Sequence, residues 1–245
     1  MDLTRYRHIM WDWNGTLLDD AWLCVEAMNL LLGRRGMRGI TRRDYEERFD
    51  FPVVDYYRGL GFDFTIEPFE RVAIEFIEEY ERRRFECRLR DDALPALESV
   101  RRAGISQSLL SATQQESLRE FVEHYGIADR FVSLIGLADH FAHSKVENGK
   151  RWVRKLGHAP GEVLLIGDTR HDHEVACAMG VDCVLFTGGH QPRRRLESCG
   201  VPLFDSLSAI FQAPDKVAEA SRQSSVGVPP ANTVCNAGFS LSCRS

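Results

Sequence analysis

The stretch Val163-Leu-Leu-Ile-Gly167-Asp168-Thr-Arg-His-Asp172 decides the architecture. Four apolar residues in a row, without polar alternation, read as a strand buried on both faces, which is the habit of parallel sheets covered by helices. Gly167 and Asp168 end the strand, and a second carboxylate follows one helical turn later. Acids at the carboxyl end of such a strand supply the hard oxygen ligands that magnesium prefers.

The same pattern recurs on either side. His8–Trp11, Gln107–Ser111, Phe131–Gly136 and Cys183–Phe186 read as further strands. Ala93–Arg102, Glu116–His124, Glu147–Leu156 and Glu174–Met179 read as helices between and after them. Strand–helix alternation with short connections predicts an α/β fold with a doubly wound parallel sheet, Rossmann-like in layout. Gly104, Gly126, Gly157 and Gly180 fall where helices should end. Thr113-Gln-Gln-Glu116 has the spacing of a capping box.

Residues 21–90 break this rhythm. Helical patterns occupy Trp22–Arg34, Arg42–Phe49, Val53–Leu60 and Glu67–Phe85, with no strand signal among them. About 70 residues is too long for a crossover loop. The interval is expected to be an inserted all-helical cap, with Gly33, Gly36, Gly39, Pro52, Gly59 and Gly61 separating its helices. The expected division is a core of 1–18 and 91–212, a cap of 19–90, and a disordered tail of 213–245 rich in Ser, Pro, Asn and Gly.

Composition narrows the function classes. Of 245 residues, 44% are hydrophobic and 27% charged, enough to bury a sizeable core. A formal net charge of -5 argues against a dedicated nucleic-acid binder. No apolar run approaches the length of a membrane span, and the N-terminus lacks a signal-peptide core. Seven scattered cysteines without a Cys-x-x-Cys pair suit reduced thiols in the cytoplasm. A small-molecule substrate is the expected partner, and oligomeric state is not legible.

Chemistry concentrates at four strand ends, the edge where open parallel sheets bind ligands. In His8-Ile-Met-Trp-Asp12-Trp-Asn14-Gly15-Thr16, a strand delivers Asp12 to its exposed end and Gly15 allows a sharp turn. Asp12 can serve there as nucleophile and metal ligand, although Asp before Asn-Gly is also an ordinary turn. Ser111-Ala112-Thr113 ends a strand in a hydroxyl and can hold phosphate, or simply cap a helix. Lys145 leads into a helix and can neutralise phosphoryl charge, with Lys150 as a rival and an ordinary surface lysine as the plainer reading. Asp168 and Asp172 complete the set.

In this order and spacing the motifs resemble the haloacid dehalogenase superfamily, within it the phosphoglycolate-phosphatase-like proteins with a helical cap, over residues 6–210. Asp12-Trp-Asn14-Gly15-Thr16-Leu17 is similar to the family's Asp-x-Asp-Gly-Thr signature. The resemblance implies an Mg²⁺-dependent phosphatase of a small organic phosphate, in which Asp12 forms an aspartyl-phosphate. It implies Mg²⁺ at Asp12, the backbone carbonyl of Asn14, Asp168 and Asp172. It puts the phosphate against Ser111, Ala112, Gly15 and Thr16, and gives Lys145 a catalytic role.

One position departs from the family pattern. Asn14 stands where its phosphatases carry a second aspartate that protonates the leaving group. A carboxamide exchanges no proton at neutral pH, so the acid–base contribution of about 10²–10⁴-fold must come from elsewhere. A good leaving group or His171 would substitute. His171 and His173 also read as plain helix-start residues. A weakly catalytic phosphometabolite-binding module, or cleavage of another bond, are the alternatives. Carbon–phosphorus cleavage is set aside because lysine is absent before Lys145. Asp19, Asp20 and Arg58 are candidate substrate contacts, with helix capping and solvent exposure as the plainer reading. Trp22, Phe49, Phe51, Tyr56 and Tyr57 are expected to pack the cap core.

Overall fold

The stretch His8-Ile-Met-Trp11, apolar after its first residue, forms β1 (His8–Trp11), with all four side chains buried. The structure is a computed structural model that describes residues 1, 3–137 and 145–211. The expected tail at 213–245 lies outside the described residues.

After β1 come β2 (Leu18–Asp19) and four helices, α1 (Ala21–Arg34), α2 (Arg42–Arg48), α3 (Val53–Leu60) and α4 (Phe69–Arg83). The chain returns through β3 (Arg88–Leu89), α5 (Ala93–Arg102), β4 (Ser106–Gln114), α6 (Gln115–His124) and β5 (Ser133–Leu137). It continues with α7 (Lys145–Leu156), β6 (Val163–Gly167), α8 (Arg170–Met179) and β7 (Asp182–Phe186). The described part ends with α9 (Arg193–Leu196), β8 (Leu203–Phe204) and α10 (Leu207–Ile210).

Among the described residues, six strands form a parallel sheet in the order β5-β4-β1-β6-β7-β8. Period-two alternation divides its side chains between two cores. Ile9, Trp11, Leu164 and Ile166 face one, and Met10, Val163 and Leu165 face the other. Helices cover both faces, so the α/β expectation holds. β1 lies between β4 and β6, and the order reverses there. Crevices at such reversals are where open sheets bind ligands.

The inserted helices carry their own aromatic core. Tyr45 stacks on Phe49 at 5.0 Å, Phe49 meets Tyr56 edge-on at 5.5 Å, and Tyr57 meets Phe69 at 5.6 Å. Thr41 and Asp44 form a capping box that starts α2. Several local expectations are corrected. The interval expected to hold no strand contains β3, which pairs antiparallel with β2 and ties the two ends of the insert together. Gly33 lies inside α1, and the chain turns instead at Gly36, with φ +65°. Gly59 lies inside α3, which ends at left-handed Gly61. The capping box at Thr113 does not form. β4 runs on through Gln114, whose side-chain oxygen accepts from the backbone N–H of Glu116 and Ser117.

Candidate active site

The carboxyl ends of β1 and β6 bring the acids together. Asp12 directly follows β1, and its N–H continues the ladder to the Ile166 carbonyl at 2.8 Å. Asp168 directly follows β6, and Asp172 lies in the first turn of α8. A Thr169–Asp172 capping box holds that turn, with the Asp172 Oδ2 accepting from the Thr169 hydroxyl at 2.7 Å. The sequence carried this box plainly, although the helix was expected only from Glu174. Gly167 is required here because a Cβ would sit 2.3 Å from the Asp172 carboxyl carbon.

Lys145 stands at the start of α7 and is buried among these acids. Its Nζ donates to Asp12 Oδ1 at 2.6 Å and to Asp172 Oδ1 at 2.8 Å. Lys150, the alternative, pairs with Glu147 on the outer face of α7. Burial pushes the Asp12 carboxyl up, Asp172 and Asp168 add to that, and Lys145 opposes it. Burial also acts against ionised Asp172, but the Lys145 ammonium and Thr169 hold it below the ordinary range. The Lys145 ammonium, disfavoured by burial, is raised by Asp12 and Asp172.

Ligand oxygens of Asp12, Asp168 and Asp172 lie within 4.8 Å of one another. Three buried carboxylates face one ammonium, an excess of negative charge that a divalent cation fits. Thr16 is fully buried and donates to Asp168 Oδ1 at 2.9 Å, while the His190 N–H reaches Asp168 Oδ2 at 2.6 Å. Both bonds orient Asp168. Gly15 has φ +76°, and a Cβ there would lie 2.3 Å from Asp168 Oδ2 and from the His190 ring. Ser111 is buried, and its hydroxyl donates to Thr113 Oγ1 at 3.0 Å. Ala112 lines the cavity above the acids.

Asn14 is fully engaged. Its Nδ2 donates to Asp20 Oδ2 at 2.7 Å and to the Tyr80 hydroxyl at 2.9 Å, and its Oδ1 accepts from Thr113 Oγ1 at 2.7 Å. Asp20 does not cap α1 with its side chain. It is buried and also accepts from the Gly15 N–H at 2.9 Å and from Tyr80 at 2.8 Å. His190 Nε2 lies 3.3 Å from Asp20 Oδ1, and its Nδ1 lies 2.8 Å from the Tyr45 hydroxyl. Burial disfavours the charged imidazole, yet Asp20 and Asp168 raise its pKa to about 9. Burial likewise disfavours ionised Asp20, which His190, Asn14 and Tyr80 bring below its usual value.

Sequence reading weighed Asp20 mainly as a cap and missed Tyr80, Tyr45 and His190. Tyr80 and Tyr45 come from α4 and α2, remote in sequence. His190 had a signal in Thr187-Gly-Gly-His190 just after β7, where a Cβ at residue 189 would sit 2.0 Å from Asp168 Oδ2. His171 lies at the cavity wall, stacked on Phe51 at 4.3 Å and 3.4 Å from Glu174. Arg58 is exposed and pairs with Asp55. Phe49, Tyr56 and Tyr57 both pack in the core and line the cavity, whereas Phe51, expected in that core, lines the cavity between Phe49 and His171.

A parallel sheet with clustered acids and a buried lysine at its switch point is the layout of an α/β enzyme site. The sequence model of the haloacid dehalogenase-like hydrolase family matches residues 9–186, and the chain belongs to that family. It is 24% identical over 216 residues to a phosphoglycolate phosphatase of Synechococcus elongatus, covering 84% of this chain and 95% of that protein. It is 24% identical over 185 residues to the tyrosine-protein kinase PtkA of Mycobacterium tuberculosis, covering 74% of this chain but 62% of that protein's length. A haloacid dehalogenase-like family hydrolase from Streptococcus pneumoniae superposes with TM-score 0.74 at 17% identity, covering 85% of this chain and 100% of that one. The solved PtkA structure superposes with TM-score 0.70 at 22% identity, covering 85% of this chain and 99% of that one.

Proposed function

We propose that this chain is a magnesium-dependent phosphomonoesterase of a small organic phosphate that works through an aspartyl-phosphate on Asp12. The observation that carries the reading is the Lys145 ammonium, held between Asp12 and Asp172 beside Asp168. Relatives named as phosphoglycolate phosphatases support it.

In this reading Asp12 attacks phosphorus in line, and Lys145 neutralises charge on the transferring group while favouring the ionised form of Asp12 against burial. Asp12, the Asn14 backbone carbonyl, Asp168 and Asp172 would hold Mg²⁺, which supplies electrostatic stabilisation of phosphoryl charge. Thr16 and the His190 N–H fix Asp168 for that task. Ser111, Ala112, Gly15 and Thr16 surround the phosphate position. Helices α1–α4 act as a cap over residues 19–90, and the core comprises 1–18 and 91–212. Asn14 shapes the site and carries no proton.

We place the protein in the cytoplasm, in line with the unpaired cysteines of the described residues. Among those residues no helix is long and apolar enough to cross a membrane. The test is phosphate release from p-nitrophenyl phosphate with and without Mg²⁺, for the native chain and Asp12→Asn. Release that needs both magnesium and Asp12 supports the reading. Ligand binding without any release would move it to the binding module that engaged Asn14 favours.

A further inference from the structure

We infer that the alcohol released by this site is uncharged and aromatic, so that the substrate is a phosphate monoester of the phenol class. The inference rests on the phosphatase reading and names its substrate more narrowly.

A cavity of about 600 Å³ rises from Asp12 and Lys145 into the helical insert. That volume suits a small organic ligand. Phe49, Phe51, Tyr56, Tyr57, Phe76 and Tyr80 dominate its walls. Flat rings of this kind favour offset or edge contacts with another ring.

Charge on the walls points the same way. Among the described residues, the lining groups able to carry positive charge are Lys145, His171 and His190. Lys145 is held by Asp12 and Asp172, and His190 by Asp20 and Tyr45. His171 lies flat against Phe51, with its Nδ1 3.4 Å from Glu174. Among the described residues no arginine lines the cavity; Arg58 pairs with Asp55, Arg35 with Glu67, Arg170 with Asp50, and Arg42 with Glu46 and the Gly189 carbonyl. Asp20, Glu81 and Glu174 also line it, paired with His190, Arg84 and His171 respectively, so the walls offer no cation in excess of their acids. A second anionic group on the substrate would leave water for apolar or acidic surroundings, which is strongly unfavourable.

Asn14 supplies an independent argument. An alkoxide leaving group needs a proton as the P–O bond breaks, and the Asn14 amide has none to give. A phenol, with a pKa of roughly 10, leaves unaided as phenolate. In the balanced reaction an Asp12 carboxylate oxygen bonds to phosphorus, and the P–O(aryl) pair departs with the aryl oxygen, which takes its proton from water. A second water then attacks phosphorus, releasing inorganic phosphate and restoring Asp12.

The experiment compares kcat/KM of the full chain with Mg²⁺ on 2-naphthyl phosphate, phenyl phosphate, cyclohexyl phosphate and phosphoglycolate. Naphthyl phosphate is expected to exceed phosphoglycolate by about a hundredfold. Phenyl phosphate is expected to exceed cyclohexyl phosphate, similar in size, by about a hundredfold or more in kcat/KM, which reports the P–O cleavage that forms the aspartyl-phosphate. Ile77→Lys, which puts an ammonium on the cavity wall, is expected to narrow the naphthyl-to-phosphoglycolate ratio. Preference for phosphoglycolate, or equal kcat/KM for the phenyl and cyclohexyl esters, would overturn the inference and leave the phosphatase reading standing. Failure to cleave any of the four esters or p-nitrophenyl phosphate would overturn both.

Discussion

The Asn14 amide donates to the buried Asp20 carboxylate across 2.7 Å, in a partly buried pocket flanked by Tyr80 and Thr113. An aspartate at residue 14 would set two carboxylates at that distance, which can coexist only by sharing a proton. The amide at residue 14 is therefore matched to its surroundings. Among these, Asp20 is also held by His190.

Asn14→Asp is accordingly expected to lower stability at pH 7 by about 2–4 kcal/mol, the scale of an unmatched buried charge. One of the two carboxyls then has a raised pKa in the folded state. Its protonated form is compatible with folding at low pH, and stability is lost as pH rises through that pKa. Urea unfolding at pH 5 and pH 7 checks this. A variant that unfolds like the native chain at both values would contradict the matched-amide account.

Lys145→Met should cost about 3–5 kcal/mol, because it leaves Asp12 and Asp172 buried without their cation. Phosphatase turnover should fall with it, whereas Lys150→Met should change neither. Denaturant unfolding and phosphate release on the same preparations separate the two lysines.

Magnesium should raise the melting temperature of the native chain in proportion to the logarithm of its concentration above Kd. Asp168→Asn removes one of three clustered carboxylates and should abolish most of that shift. Thermal melts across a magnesium series provide the check.

Gly15→Ala tests the turn after Asp12. A side chain there requires φ +76° and meets Asp168 and the His190 ring at 2.3 Å. The expected loss is about 1–3 kcal/mol, with magnesium-dependent stabilisation weakened as Asp168 is displaced. Gly157→Ala shares a positive φ but has nothing within 4 Å, so it should lose stability while keeping the magnesium response.

His8 gives the pH dependence of the core. Its ring lies between the Ser106 and Ser108 hydroxyls at 2.7 and 2.8 Å, and burial, helped by His158, lowers its pKa from 6.5 to about 4. The unfolded chain takes up that proton first, so stability is complete above pH 6.5 and falls as pH drops toward 4. The contribution is up to about 3 kcal/mol. His8→Gln should remove this dependence, so the native-minus-variant difference in unfolding free energy should fall as pH drops from 6.5 toward 4.

The sheet was legible because β1 and β6 are continuous apolar runs, and because the acids of those strand ends lie close in sequence to the strands that carry them. Asp12, Asp168 and Asp172 could be named for that reason, whereas Lys145 was favoured over an ordinary surface lysine only by the family resemblance. Strand ends and helix starts shifted where a side chain outvoted local pattern, as Gln114 did in capping α6. The polar pocket around Asn14 was not legible. Tyr80 and His190 reach it from α4 and from the loop after β7, and only tertiary packing brings them to residue 14. Asp20 looked like a helix cap because its position before α1 is the capping position, while its partners are distant.

The most direct test of the central claim is whether Asp12 becomes phosphorylated. A rapid acid quench of the native chain during turnover of an aryl phosphate with Mg²⁺, followed by intact mass and peptide mapping, should show one phosphoryl group on Asp12. It should be absent from Asp12→Asn. Turnover with no phosphorylated protein at any quench time, or with the phosphoryl group on another residue, would contradict the account.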